Sequence, residues 1–137
     1  MSICVNDFKP NWVFCFNPEE TLLDYIWDNE GGIIKMNATQ HLKSLQVGDW
    51  AVIKRGQARG KFPTSNFIAI CEIVGFEDIN GPDPDHEPYY LLPNRGRVVT
   101  DRRFHQTKAV LQVHLLVDEP LQNPIKYQGS VHRYLGH

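Results

Sequence analysis

The sequence lacks any long apolar run: uncharged hydrophobic stretches such as Phe67 to Cys71 stop at five residues, far short of the ~20 that a membrane-spanning helix needs. A soluble chain with no membrane partner is expected. The opening residues, Met1-Ser2-Ile3-Cys4-Val5-Asn6-Asp7, show no basic stretch leading into an apolar core, so no secretory signal is read and a cytoplasmic location is expected. Cysteine is scarce. Cys4, Cys15 and Cys71 are odd in number and contain no C-x-x-C pair, which argues against a disulfide scaffold, a zinc knuckle or a thiol redox pair. Cys15 and Cys71 lie in apolar, strand-like runs where a free thiol behaves as a small hydrophobe. His41, His86, His105, His114, His132 and His137 form neither the i, i+4 pair of a helical zinc motif nor an H-x-H pair. No metal and no other cofactor is expected. A G-x-S-x-G elbow is also missing, as is the Lys-Ser/Thr ending of a phosphate loop, so nucleophilic and phosphate-loop catalysis have no motif to rest on.

What is present fits one domain spanning residues 1–137: 42% hydrophobic and 22% charged residues are close to the globular average and exclude a disordered chain. With 14 basic and 16 acidic residues the net charge is −2, too low for a surface coated throughout for polyanions. The distribution says more than the sum. Lys54, Arg55, Arg59 and Lys61 fall within eight residues, and Arg95, Arg97, Arg102 and Arg103 within nine. A solvated loop explains either cluster alone, whereas the two together point to a polyanion. Arg55-Gly56-Gln57-Ala58-Arg59-Gly60 reads as a hairpin loop that can touch phosphate.

Asn11 to Phe16 alternates large and small apolar residues, placing Trp12, Phe14 and Phe16 on one side of a strand. Asn17-Pro18-Glu19-Glu20 then reads as a helix start, with Asn17 as cap, and Leu22, Leu23 and Ile26 supply about two turns of apolar face ending near Trp27. Asn37 to Gln40 gives a second start signal, for a short helix carrying Leu42 and Leu45. Val47-Gly48-Asp49 turns the chain into a strand from Trp50 to Arg55 whose positive end should face solvent. Asn66 to Phe76 is apolar on both alternations apart from Glu72, as in a strand covered on both faces. Four prolines mark a long loop from Glu77 to Pro93. Lys108 to Asp118 alternates as a strand with one wetted face, and Gln128 to Leu135 reads as a terminal helix. This order closes most naturally as an α+β fold, a small barrel with helices packed around it.

The aromatics beside polar residues are the remaining candidates. Trp27-Asp28-Asn29 places an indole at an element's end next to a carboxylate and an amide that can hydrogen-bond a planar ligand, although spacing alone favours a helix-end tryptophan sealing the core. Trp50 reads as a core or barrel-rim residue. Tyr89-Tyr90 lies in the proline-rich loop, where an exposed aromatic has few structural uses.

Together, Trp12-Val13-Phe14-Cys15-Phe16, Trp27-Asp28-Asn29, the joint from Leu42 to Ile53 and Ile68 to Val74 resemble the EVE domain, a PUA-like family related to the YTH readers of methylated adenine in RNA. The resemblance implies a PUA-like small mixed β-barrel of five or six strands flanked by short helices. It implies a non-catalytic nucleic-acid-binding module that takes a modified, methylated base flipped into an aromatic pocket. By position, Asn17 and Trp27 would line that pocket, Asp28 and Asn29 would meet the base's polar edge, and Tyr89 or Tyr90 would form the second wall. Lys54, Arg55, Arg59, Arg95, Arg97, Arg102 and Arg103 would hold phosphates. Likeness to restriction-associated modules favours DNA over RNA and a partner nuclease or restriction subunit. The alternative is a catalytic PUA-like relative: an ASCH-type RNA-processing enzyme or a small hydrolase acting on a modified nucleoside.

Overall fold

A computed structural model describes residues 5–19, 21–58, 60–80, 87–89, 105–121, 127 and 129–135. Arg59, Tyr90, Arg95, Arg97, Arg102 and Arg103 therefore lie outside the described residues. The elements run α1 (Val5–Phe8), β1 (Trp12–Phe16), α2 (Asp24–Trp27), β2 (Ile33–Asn37), a 3-10 turn η1 (Thr39–His41), β3 (Trp50–Arg55), β4 (Asn66–Asn80), a second 3-10 turn η2 (Glu87–Tyr89), β5 (His105–Pro120) and β6 (Val131–Arg133). Among the described residues no helix is long and apolar enough to cross a membrane.

The six strands form one sheet in the order β2-β5-β4-β3-β1-β6, curled into a half-barrel. Only β1 and β3 run parallel, with Trp12 opposite Ala51 and Phe16 opposite Arg55. The expected alternation in β1 holds, but both of its faces are covered. Trp12, Phe14 and Phe16 join the larger core with Tyr25, Ile26, Ile53, Leu111 and Val113, while Val13 joins Val5, Val52, Phe67, Ile70 and Tyr127 on the other side. Thus α2 and η2 close one face, and α1 with the carboxyl-terminal segment closes the other.

Where β4 meets β5 the register slips, so that Ile70 opposes Leu115 but Cys71 opposes Val113. One extra residue reverses the facing of all that follow. Leu111 and Val113 therefore enter the larger core, whereas Leu115 and Val117 pack on the opposite face. The single wetted face expected for this strand is corrected by that bulge. At the sheet's ends, η1 follows β2 directly and Gln40 reaches β6: its Oε1 accepts Ser130 N at 2.7 Å and Val131 N at 3.3 Å. A side-chain amide takes the place of a ladder partner there.

Four elements differ from the sequence reading. The helix expected from Asn17 is a single turn starting at Asp24, because Leu22 N donates to Tyr89 O at 2.7 Å and draws the chain out of helical pairing. Ile33–Asn37 is an edge strand, with Ile34 and Met36 facing inward; Asn37 accepts a bond from Lys108 Nζ instead of capping a helix. The expected terminal helix is β6, paired antiparallel to β1 from Trp12↔Arg133 to Phe14↔Val131. The strand Asn66 to Phe76 continues to Asn80, into the stretch read as loop.

The Val47-Gly48-Asp49 joint has a structural task. Gly48 takes φ +96°, and Asp49 Oδ2 accepts both Trp12 Nε1 at 2.9 Å and Gln46 N at 3.1 Å. Trp12 is 2% exposed, so this carboxylate satisfies an indole donor that has left water.

Candidate nucleic-acid interface

Helical geometry sets the candidate site. A turn advances about 100° per residue; with Tyr25 and Ile26 buried against the core, Trp27 is directed outward and its side is 37% exposed. Asn29 holds the turn's end, its Nδ2 donating to Tyr25 O at 2.7 Å. Gly31, at φ +80°, then releases the chain, and its N–H donates to Val113 O at 2.7 Å. The platform carrying Trp27 is thereby fastened to the sheet through Gly31.

Tyr89 docks onto this platform from η2. Its ring centroid lies 5.3 Å from that of Tyr25, tilted by 47°, its carbonyl receives Leu22 N, and its hydroxyl donates to Asp28 Oδ2 at 3.1 Å. That hydrogen bond, with burial and the charges of Asp28 and Asp24 behind it, raises the Tyr89 phenol above its ordinary pKa. The Tyr25 hydroxyl accepts Lys35 N at 2.8 Å, which blunts the open edge of β2. Asp28, Asn29 and Tyr89 are thereby joined through Tyr25, and Trp27 lies on the same turn. Asn17 is exposed and its Oδ1 accepts Glu19 N at 2.9 Å; its carbonyl accepts Thr21 N, and the next N–H, of Leu22, donates to Tyr89 O. Tyr25 was not singled out from the sequence, although its position two residues before Trp27 and four before Asn29 is the signal that would have found it.

The basic residues divide. Lys54 Nζ donates to Tyr127 O at 2.8 Å, tying β3 to the carboxyl-terminal segment. Arg55 is 8% exposed, donates to Thr64 O at 2.7 Å and lies 4.0 Å from the Phe62 ring centroid; burial lowers its pKa. The expectation that this strand end faces solvent is corrected for Arg55, whose guanidinium packs under the β3–β4 connection. Lys61 is exposed. Trp50 is a rim residue as expected, with Phe8 edge-on at 5.2 Å and His114 at 5.0 Å. Cys71 is fully buried, and burial pushes its thiol up.

No family model matches the chain, and no curated protein matches it in sequence. Solved structures do. The DUF55 domain of human thymocyte nuclear protein 1 superposes with a TM-score of 0.51 at 10% identity, over 89% of each chain. The human THYN1 protein in complex with 5-methylcytosine containing DNA gives a TM-score of 0.48 at 12% identity, over 86% of this chain and 74% of that one. The first likeness shows the fold alone: the chain folds as that domain does, as a small curled β-sheet barrel with a few short helices.

Proposed function

We propose that this protein is a non-catalytic reader of nucleic acid that receives one modified base, swung out of its strand, against the indole of Trp27. The observation that carries the reading is the partly exposed indole of Trp27, on the turn whose Asp28 accepts the Tyr89 hydroxyl and which is tied to the sheet through Gly31. Stacking on an aromatic ring returns roughly 1–3 kcal/mol per base, comparable to the few kcal/mol that unstacking it costs. Asp28 faces this site as an acceptor, which suits the exocyclic amino group of cytosine or adenine. Methyl discrimination then comes from shape, at about 0.8 kcal/mol per buried carbon.

The acidic side chains Asp24 and Asp28 make the rim itself unsuited to phosphate. The strand's backbone is held instead by Arg59, Arg95, Arg97, Arg102 and Arg103 in this reading, which gives the complex its salt dependence. DNA is the favoured polymer, and a cytoplasmic nuclease or restriction subunit is the partner such a reader would direct. The resemblance to EVE domains supports both.

The test is a fluorescence-anisotropy titration in low salt with paired oligonucleotides, plain or carrying 5-methylcytosine or N6-methyladenine. One modified member binds more tightly than its plain partner, and Trp27→Ala removes the difference. Equal affinity for every pair, or no binding, refutes the reading.

A further inference from the structure

The connection between β3 and β4 forms an open pocket, which the Trp27 reading does not use. Its volume is about 560 Å³, and it is lined by Gln57, Ala58, Gly60, Lys61, Phe62 and Pro63; small-molecule sites occupy this size range. The connection is tightly built. Ala58 and Phe62 exchange backbone bonds of 3.0 and 2.8 Å, and Lys61 N closes on Ala58 O at 3.0 Å. Gly60 takes φ +80° inside that turn, a conformation open to glycine at little cost. Gln57 Nε2 donates to Pro63 O at 2.9 Å, which leaves the amide oxygen as an acceptor at the wall.

Arg55 underlies this cavity's aromatic side. Its guanidinium sits 4.0 Å from the Phe62 ring centroid and is 92% removed from solvent, being 8% exposed. One terminal nitrogen is satisfied by Thr64 O, but Nε is buried and has no hydrogen-bond partner among the described residues. Burial opposes the charge of this guanidinium, and the Thr64 carbonyl and the Asp118 carboxylate offset that cost, so that the cation is held beneath the Phe62 ring. Positive charge beneath an aromatic ring, a second cation at the rim in Lys61, and flat apolar walls from Ala58 and Pro63 are what a nucleotide requires.

We infer that this cavity binds one nucleotide unit, its heterocycle against Phe62 and its phosphate at Lys61. The unit comes either from a free mononucleotide or from a single strand, and the two sources share this chemistry. The site stands independently of Trp27.

The experiment is an amide NMR titration of the whole chain with AMP, with inorganic phosphate alone, and with a short single-stranded DNA. AMP is expected to shift the amides of Gln57, Ala58, Gly60, Lys61 and Phe62, at least tenfold more tightly than phosphate. Phe62→Leu weakens AMP by about tenfold, the loss of one stacking contact, and Lys61→Gln by about threefold with a shallower salt dependence. Trp27→Ala leaves all of this unchanged. The same shifts at higher affinity with the DNA identify the strand as the source, and equal affinity identifies the free nucleotide; either supports the site. It is overturned if these amides stay fixed at millimolar AMP and DNA, or if phosphate alone reproduces both shifts and affinity. It is also overturned if Phe62→Leu and Lys61→Gln, with native spectra, both bind AMP undiminished. Such a failure with Trp27-dependent binding intact removes this cavity and leaves the base reader standing.

Discussion

Replacing Asp49 by alanine removes one carboxylate oxygen that two donors share, Trp12 Nε1 at 2.9 Å and Gln46 N at 3.1 Å. The two losses are unequal. Gln46 is exposed, so water replaces its bond, whereas the indole N–H of Trp12, at 2% exposure, is left unpaired in the core at a cost of roughly 1–3 kcal/mol. A destabilisation of about 2 kcal/mol is expected, equivalent to a fall in Tm of about 6–8 °C for a chain of this length. Trp12→Phe removes the donor itself, together with an indole stacked on Arg133 at 4.7 Å. In the Asp49→Ala/Trp12→Phe double variant the orphaned donor no longer exists, so the two costs fall short of adding by about 1–2 kcal/mol. Urea unfolding followed by far-ultraviolet circular dichroism measures all four species, and an unchanged m-value certifies that midpoint shifts report stability. A loss below about 0.5 kcal/mol for Asp49→Ala, or strict additivity of the pair, refutes the assignment of the V-G-D joint as the clamp on Trp12.

Asp28→Ala removes the acceptor that raises the Tyr89 phenol, so the Tyr89 titration falls back towards its ordinary value near 10. Phenolate absorbance, compared with a Tyr89→Phe control, measures it, and an unmoved titration contradicts the contact. The sign also fixes the effect on stability: this neutral phenol supports the fold fully below pH 10, and that support is lost as pH rises through the raised pKa. Gly129→Ala places a methyl group where Gln40 Oε1 would lie 2.3 Å away, at φ +78°. It displaces the amide that holds Ser130 and Val131 and lowers stability by about 2–4 kcal/mol; a thermal midpoint equal to that of the parent would show that Gln40 does not fasten β6.

The strands with strong alternation were legible from local sequence: Trp12–Phe16 and Trp50–Arg55 have the expected bounds. Their neighbours were not, for a physical reason. β2 and β6 are edge strands of five and three residues, and what makes them strands is pairing with β5 and β1, which lie far away in sequence. Asn17 shows the opposite failure. Its local capping signal is real, since Oδ1 accepts Glu19 N, but the carbonyl of Tyr89 claims Leu22 and ends the helix before it begins. For the candidate site, Trp27-Asp28-Asn29 was visible as a polar step after an indole, while the tie from Tyr89 to Asp28 spans 61 residues and has no local signature. Arg55 was read as a solvent-facing cation because charge at a strand end usually is one. The Phe62 ring and the Thr64 carbonyl that bury it are supplied by the following turn.

The most direct measurement of the central claim uses the three tryptophans as reporters. Grown with 5-fluorotryptophan, the protein gives one fluorine resonance each for Trp12, Trp27 and Trp50, and Trp27→Phe assigns the middle residue. Adding the preferred modified oligonucleotide is expected to move the Trp27 resonance while Trp12, enclosed in the core, stays in place, and the plain oligonucleotide at equal saturation is expected to move Trp27 far less. A saturated complex in which Trp27 does not move, or moves equally for both oligonucleotides, contradicts the stacking of a modified base on that ring.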